Sequence, residues 1–474
     1  MSDVRSGTAG AAETGGRLHR KLSSLGVLLL TLSCLSPALS VYGVGADVLK
    51  TAGTAAAWLF PLGVGVAAIW GMVYAELGSA FPYAGGDYVG VGTILGPWAG
   101  FASLTLWTLI AGPSLAFTAT ITADYVGELA PALPHTAVTF GSLGAALVVA
   151  LLAVRASAIV TGVFLAIELA AVLALVVAGF AHPVRGIGQI VASPVALDAT
   201  GVLAPVGLGA IALGAVNAAF ATCGGNQAIG FGEELHDPHR NMGNVLLLAA
   251  LGGALATALP VVALVVGTHD LVAVLGSPAP FSAFVASAAG PTASRALSAA
   301  VALAVFNAMI AGIMFCARLF FSLGRDDIFH PDVNRLLARV EGRSGAPRPA
   351  TLVVGAVSAA CCLLDSHTLV VFIGGSLPYI LALASLSVLV GRRRRMTGGP
   401  AHWRSPLYPL APALGLCIAT ALFVADLLDA DVGRPSTLIL GGAIAVALLW
   451  HRFVVSRRPG GWAPRLVHDP RAAD

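Results

Sequence analysis

Twelve long apolar runs constrain this chain more than any other feature of its sequence. Hydrophobic residues make up 57% of the 474 residues and charged residues only 10%, whereas soluble domains are about 25% charged. A helix needs about 20 apolar residues to cross the hydrocarbon core of a bilayer. The sequence therefore predicts an all-α polytopic membrane protein with about 12 transmembrane helices. The predicted spans are 23–48, 55–75, 98–122, 137–153, 158–180, 203–235, 243–267, 293–321, 350–364, 368–390, 407–427 and 435–455.

The basic residues predict the orientation of these spans in the lipid bilayer. Of the 26 lysines and arginines, 22 fall in loops assigned to one side, and four fall on the other: Lys50, Arg185, Arg295 and Arg434. Basic loop residues stay cytoplasmic. Both termini are therefore expected in the cytoplasm, and the protein in the cell inner (plasma) membrane. The run Arg392–Arg395 is typical of a topology anchor rather than a binding site.

No sequence feature indicates an enzyme, a cofactor or a metal site. The six cysteines lie in apolar runs without metal-ligand spacing. The spans carry neither a paired His/Glu metal motif nor a nucleophile elbow. The net charge of +3 adds no signal for a nucleic-acid partner. Residues 1–22 and 456–474 are expected to be cytoplasmic tails.

A stretch of small and amide residues, Thr222–Gln227, interrupts the sixth predicted span. It reads TCGGNQ, and the span then ends in Glu233 and Glu234. Irregular backbone at bilayer depth is tolerated where it lines a cavity enclosed by protein. In secondary transporters, broken helices of this kind form the substrate site. The alternative is that Gly224 and Gly225 only allow two helices to pack closely.

The dipeptide Ser36-Pro37 interrupts the first span. Proline removes a backbone donor and disfavours helical geometry at the residue before it. Serine before proline suits the start of a new helix, with Ser36 as N-cap and Pro37 in the first position. The free amides of Ala38, Leu39 and Ser40 would then point into the membrane core, where a helix N-terminus binds an anion such as a carboxylate. The alternative is a plain kink.

The two interruptions together offer opposite partial charges. The first half of span six ends near Phe220–Thr222, and the last carbonyls of a helix are unsatisfied and partly negative. Amides at one break and carbonyls at the other fit a zwitterion, the form of an amino-acid backbone. Spans one and six hold corresponding places in two five-helix halves, which is typical of an inverted-repeat transporter. The expected substrate-binding residues are Ser36, Pro37, Ala38, Leu39, Ser40, Phe220, Ala221, Thr222, Cys223, Gly224 and Asn226.

Four segments of the chain resemble motifs of the amino acid–polyamine–organocation superfamily of permeases. Residues 75–88 resemble the segment after helix two, and 231–241 resemble the segment after helix six. Residues 323–327 resemble the motif after helix eight, and 403–409 resemble the lead-in to helix eleven. The order and spacing agree over about residues 20–455. Each motif alone is weak, whereas the four together are specific.

This resemblance implies the LeuT-type fold, alternating access and an amino-acid or amine substrate. It implies inverted repeats over 23–202 and 203–391, with helices one and six broken, and two further helices over 407–455. Phe220 falls where the family often has an aromatic residue that closes over the substrate, and Gly224 falls on the glycine of the helix-six break. Many members have a Gly-Ser-Gly break in helix one, where this chain has Ser36-Pro37-Ala38.

Ionisable residues inside membrane spans are costly and usually functional. Glu168, deep in span five, is the best candidate for a proton carrier. The alternative is a structural, protonated Glu168 that is hydrogen-bonded to a neighbouring helix. Asn307 in span eight is expected to join helices, or else to contact the substrate or an ion.

Four carboxylates at predicted cytoplasmic helix ends are expected to anchor loops by pairing with Arg240 or Arg155, with a gating role as the alternative: Glu76, Asp87, Glu233 and Asp237.

The leading hypothesis is a proton-coupled secondary transporter of an amino acid with a neutral side chain. The pocket spans contain few charges, and an unpaired buried charge on a substrate would be expensive. The alternatives are an amino acid or amine exchanger, a polyamine porter in which Glu168 meets a cationic substrate, and a sensor that binds without transport. Backbone carbonyls with Ser and Thr hydroxyls would also suit Na⁺, so sodium coupling remains open.

Overall fold

The computed structural model describes residue 18 and residues 22–152, 154–198, 200–340, 346–457 and 462–466. Its α-helices are α1 (Ser24–Leu35), α2 (Pro37–Leu39), α3 (Ala46–Ala52), α4 (Ala56–Ala80), α5 (Asp87–Leu95), α6 (Pro97–Leu129), α7 (His135–Ala150), α8 (Val154–Ala181), α9 (Ile187–Ala192), α10 (Leu208–Thr222), α11 (Pro238–Gly267), α12 (Leu271–Leu275), α13 (Pro280–Ala289), α14 (Pro291–Arg325), α15 (Pro331–Leu337), α16 (Arg348–Cys361), α17 (Ser366–Gly374), α18 (Ser376–Arg393), α19 (Leu410–Leu428) and α20 (Gly433–Phe453). A π-helix covers Ser40–Gly45, and 3₁₀ helices cover Gly53–Ala55, Asn226–Glu234 and Val455–Arg457.

The protein is a helical, polytopic membrane protein. Within the described residues, nine helical stretches are long and apolar enough to cross a membrane. The first, Ser24–Ala80, has 57 residues and includes both the first and the second predicted spans. Two shorter apolar helices, α7 and α16, coincide with the fourth and ninth predicted spans. Most of the predicted tails 1–22 and 456–474 lies outside the described residues.

Three local features differ from the sequence-based expectation. Helix α4 continues to Ala80, so the first part of the segment assigned to a loop after span two is helical. Residues 203–205 form strand β2 (Leu203–Pro205), which pairs antiparallel with β1 (Val195–Leu197), and span six begins later, at Leu208. The tenth span is divided at Gly375. A Cβ added to this glycine would lie 2.9 Å from the Thr437 amide nitrogen. That close approach to α20 accounts for a glycine at this position.

Small residues allow the helices to pack closely, as is usual in membranes. On α4, Gly63 faces the backbone of α10 and Gly71 faces Ala250 of α11. On α6, Gly112 faces Val357 of α16, and Leu115 contacts Gly312 of α14. A Cβ at any of these four glycines would lie less than 3.0 Å from its neighbour.

The helix ends that carry Glu76, Asp87, Glu233, Glu234, Arg325 and Arg392 are together called the basic face here. The last described segment, residues 462–466, docks on this face. The indole nitrogen of Trp462 donates to the carbonyl of Asp326 at 3.0 Å, and Trp462 packs edge-on against Phe101, with ring centroids 5.4 Å apart. The amide of Arg465 donates to Asp326 Oδ1 at 3.2 Å, and the Arg465 guanidinium pairs with Asp327.

Candidate functional site

The first span is interrupted where the serine–proline pair predicts it. Helix α1 ends at Leu35, and Ser36 takes a left-handed backbone conformation with φ 44°. Pro37 then begins a second helical stretch, and the Ser36 hydroxyl caps it by accepting from the Leu39 amide at 3.3 Å. The Ser40 amide donates to the Ser36 carbonyl at 3.1 Å. The expectation of free amides at Leu39 and Ser40 is therefore wrong for this structure, because both have partners within the chain.

The amide of Ala38 has a partner from another span. Glu168 on α8 is fully buried, and its Oε1 accepts hydrogen bonds from the Ala38 amide at 2.8 Å and from the Ser36 hydroxyl at 2.9 Å. A carboxylate is the group that a helix N-terminus favours. The other oxygen, Glu168 Oε2, is buried without a hydrogen-bond partner. Glu168 thus lies directly at the break of span one.

The sixth span is also interrupted as the sequence predicts. Helix α10 ends at Thr222, Cys223 is extended, and Gly225 has φ 77°, a conformation that favours glycine. The chain then continues as a 3₁₀ helix rather than an α-helix. Over the described residues, no backbone amide donates to the carbonyl oxygens of Phe220, Ala221 or Thr222. These three acceptors at the end of α10 remain available.

The two breaks are in direct contact. A Cβ placed on Gly224 would lie 2.7 Å from Cδ1 and 3.0 Å from Cγ of Leu35, the last residue of α1. Gly253 of α11 faces the same leucine, with a Cβ position 2.8 Å from its Cδ1. Leu35, Ser36 and Gly224 are all buried. The structure therefore brings together the two segments that sequence reasoning paired.

Asn226 connects the break to a polar cluster that sequence reasoning did not find. Its side chain interacts with the Tyr74 hydroxyl on α4 instead of capping the following helix. Tyr74 in turn donates to Asp87 Oδ2 at 2.8 Å, and Trp107 on α6 donates to Asp87 Oδ1 at 2.7 Å. Burial raises the pKa of Asp87 to about 6, although the hydrogen bonds from Tyr74, Trp107 and Ser103 oppose this increase.

Asn307 joins two helices, as expected. Its Nδ2 donates to the carbonyl of Thr161 on α8 at 3.2 Å, and the Ser33 hydroxyl on α1 approaches the same carbonyl at 3.4 Å. Asn307 Oδ1 is buried without a hydrogen-bond partner. The residue therefore links α14 to α8 near the first break.

Comparison with known proteins identifies the family. The chain matches the amino acid permease family over residues 22–449. This chain belongs to the amino acid permease family. The shared region includes both interrupted spans, and membership shows that the protein is a transporter and not an enzyme.

Three relatives of this permease illustrate its range of similarity. It is 28% identical over 361 residues to the mouse (Mus musculus) Asc-type amino acid transporter 1, a match that covers 72% of this chain and 64% of that transporter. The chain thus spans less than two thirds of that relative's length. It is 29% identical over 459 residues to an uncharacterized transporter of Mycobacterium tuberculosis, with 93% of each chain covered. It is 24% identical over 403 residues to the branched-chain amino acid permease BcaP of Lactococcus lactis, covering 77% of this chain and 80% of BcaP.

Two glutamates of the permease's basic face pair with arginines that sequence reasoning did not select. Arg392 holds Glu76 through two hydrogen bonds of 2.6 and 2.9 Å. Arg325 binds Glu233 in the same bidentate manner, at 2.8 and 2.9 Å. The expected pairing with Arg240 is therefore wrong for these two carboxylates. The structure does not describe the side chain of Arg155, so the predicted pairing of Asp237 with Arg155 lies outside the described residues.

A third ion pair on this face was not predicted. Arg318 of α14 donates through Nε to Glu234, and both side chains are almost fully buried. The Arg318 guanidinium also lies 4.5 Å from the centre of the Phe231 ring. The only sequence signal was that Arg318 is a charge inside a long apolar run. Because these contacts join α14 to the segment after the second break, they tie the site to the basic face.

A cavity of about 1080 Å³ lies away from the breaks, between α6, α14, α15 and α20. Its lining is mostly apolar and includes Phe101, Leu104, Phe329 and Trp450. None of the predicted substrate-binding residues contributes to it. In the described part of the permease, no group of three or more His, Cys, Asp or Glu residues is arranged to hold a metal ion.

Proposed function

We propose that this permease is a secondary active transporter of amino acids with neutral side chains, which moves its substrate across the cytoplasmic membrane by alternating access. The observation that carries the proposal is the contact between two interrupted spans of opposite backbone polarity. The free carbonyls of Phe220, Ala221 and Thr222 suit an ammonium group. The capped helix start at Ser36 suits a carboxylate.

We propose the arrangement of the spans on the same basis. The stretch Ser24–Ala80 has the length for two crossings, and α7 and α16 supply two short ones beside the eight other long stretches. Twelve crossings would form a 5+5 inverted repeat over 23–202 and 203–391, followed by two further helices over 407–455. With twelve crossings both termini share one side, and the basic face would be cytoplasmic.

The sparse charge around the breaks supports a neutral side chain on the substrate. Of the described residues that line the two interruptions, Glu168 is the ionisable acid in direct contact with them. A cationic side chain would need a further buried partner to offset its desolvation. A neutral amino acid needs only the two backbone ends.

Glu168 is the proposed proton carrier. It is buried, it contacts the break of span one, and a carboxyl in an apolar span can exchange a proton when the path opens to water. The competing coupling ion is Na⁺, for which backbone carbonyls and hydroxyls near Ser33 and Asn307 would be the ligands.

One observation favours a second function, an amine or polyamine porter or an amino acid/amine exchanger. Glu168 Oε2 is buried and has no partner, and an ammonium group would satisfy it. In that case Glu168 binds the substrate's charge instead of a proton.

Uptake into proteoliposomes tests these alternatives. The purified permease is offered labelled neutral amino acids, cationic amino acids and polyamines, with and without an imposed pH gradient, and with Na⁺ or K⁺ outside. We expect concentrative uptake of neutral amino acids that requires the pH gradient. Uptake of polyamines alone would support the second function. Uptake that follows the Na⁺ gradient would identify Na⁺ as the coupling ion in place of the proton. No uptake or exchange of any compound would contradict the transport proposal.

A further inference from the structure

The Glu168 carboxyl already occupies the place that a substrate carboxylate would take at the first break. Helix α2, the π-helix and α3 follow one another without interruption, so Pro37 begins one helical stretch that runs to Ala52. The groups that donate to Glu168 Oε1 are the Ala38 amide and the Ser36 hydroxyl at its start. These donors are the ones expected to bind the carboxylate of an amino acid.

The second oxygen of Glu168 gives independent evidence that this arrangement is incomplete. Oε2 is buried and has no hydrogen-bond partner. An ionised carboxyl therefore has one oxygen without donors, and a protonated one has no acceptor for its proton. Buried polar groups are normally paired. An unpaired oxygen beside two donors indicates a site that is completed by something else.

Charged groups on the packed helices do not reach this carboxyl. The helices that pack on α8 are α1, α2, α7, α11, α13 and α14. Their titratable residues are Cys34 on α1, His135 on α7, His239 and Arg240 at the start of α11, and Arg295, Cys316, Arg318 and Arg325 on α14. Among described residues, only Ala38 and Ser36 act on the Glu168 carboxyl. Its charge is thus balanced by the helix start alone.

We propose that Glu168 is a built-in competitor for the carboxylate subsite, so that an amino acid binds together with one proton. This inference rests on the proposed function and specifies how its site is controlled. The ionised carboxyl closes the subsite by binding Ser36 and Ala38. A substrate carboxylate at the same donors would face a like charge at contact distance, which is strongly unfavourable. One proton from water therefore adds to a Glu168 oxygen, the neutral carboxyl releases the donors, and the substrate carboxylate takes them.

Calorimetric binding to the intact permease in nanodiscs tests the proposal. L-Alanine, L-serine and L-leucine are the probes, titrated at about pH 6 and about pH 8 in buffers of different ionisation enthalpy. Where Glu168 is ionised before binding, we expect uptake of about one proton for each bound amino acid and an affinity that falls about tenfold with each further pH unit. Glu168→Gln should bind with no proton uptake and with an affinity independent of pH. Ethylamine and isoamylamine, which lack the carboxylate, should cause no proton uptake.

The controls separate the inference from the proposed function. Asp426→Asn changes another buried carboxyl, on α19, and should keep the proton uptake of the parent. Amino-acid binding without proton uptake in the parent at both pH values, with an affinity that does not change between them, would overturn the inference and leave the transport proposal standing. Loss of binding in a folded, monodisperse Glu168→Gln variant would also overturn it, because Glu168 would then attract the ammonium group. If no amino acid binds to the parent while amines do, both proposals are wrong.

Discussion

Leu35 lies against Gly224 so closely that a Cβ on this glycine would approach Cδ1 of the leucine to 2.7 Å. We therefore expect Gly224→Val to abolish substrate binding in a protein that still inserts and folds, because the branched side chain would displace Leu35 and restrict the backbone of the break. Gly224→Ala should weaken binding at least about tenfold. The measurement is substrate affinity in purified, monodisperse protein.

A second change checks that this contact is the cause. Leu35→Ala in the Gly224→Ala background should recover most of the lost affinity, as a double-mutant cycle would measure. Gly252→Ala is the matched control, because a Cβ there meets nothing within 4 Å. Unchanged affinity in Gly224→Ala would show that the break is not part of the binding site.

The pair of buried Glu76 and partly exposed Arg392 gives a stability prediction. Glu76 has no exposed surface and also accepts from Thr397 at 3.0 Å and from the Ser405 amide at 3.1 Å. Arg392→Met would leave this carboxylate without its cation, and we expect a loss of about 1–3 kcal/mol, because the arginine is itself partly exposed. Glu76→Gln with Arg392→Met should lose less than Arg392→Met alone. Thermal unfolding in detergent measures both, and equal losses would contradict the argument.

Asp87 predicts a pH dependence of stability. Burial raises its pKa from 3.8 to about 6 in the folded protein, so folding favours the protonated form. The corresponding stabilisation is complete below the unfolded pKa and is lost as the pH rises through about 6. Relative to Asp87→Asn, the parent should therefore lose on the order of 3 kcal/mol between about pH 4 and pH 7. Unfolding midpoints across this range provide the measurement, with exposed Asp332→Asn as the control. A parent and an Asp87→Asn variant with parallel pH profiles would show that Asp87 does not titrate in this way.

The pair of Arg318 and Glu234 predicts how firmly the segment after the second break is held against α14. Arg318→Met should loosen the contact between α14 and the segment after the second break, and so raise the labelling rate of Cys223 by a hydrophilic maleimide several-fold. The background replaces the other five cysteines with alanine, since all six are free. Arg335→Met removes an exposed ion pair on α15 and should leave the labelling rate of Cys223 unchanged. A labelling rate that is equal in both variants would show that Arg318 does not restrict access to Cys223.

Local sequence signals account for the parts of the fold that could be predicted. Long apolar runs mark the spans because a helix in hydrocarbon has to be apolar along its whole length. Ser36, Pro37 and Gly225 mark the breaks because each acts on its own backbone or that of a neighbour. The N-cap role of Ser36 could therefore be assigned from two adjacent letters.

Long-range contacts account for the parts that could not be predicted. Glu168 and Ser36 are 132 positions apart, and Glu76 and Arg392 are 316 apart. The sequence identified Glu168 as a buried acid, but only packing shows which amide it meets. The same holds for Asp87, whose partners Tyr74 and Trp107 come from different helices. The glycine at position 375 is likewise explained by neighbours on α20, because Ser436 accepts from its amide at 2.6 Å and Thr437 leaves no room for a Cβ.

The docked segment 462–466 is an integral part of the bundle. The indole of Trp462 is 7% exposed and is fastened to the loop that follows α14. Pro464 packs against Gly92 of α5, and a Cβ added to this glycine would lie 2.8 Å from Pro464 Cγ. An affinity tag or fluorescent fusion joined directly after Arg457 would replace this docked segment and uncover the Phe101 ring. A fusion joined downstream of residue 466 keeps the docked segment in place, so reporters for this permease belong there.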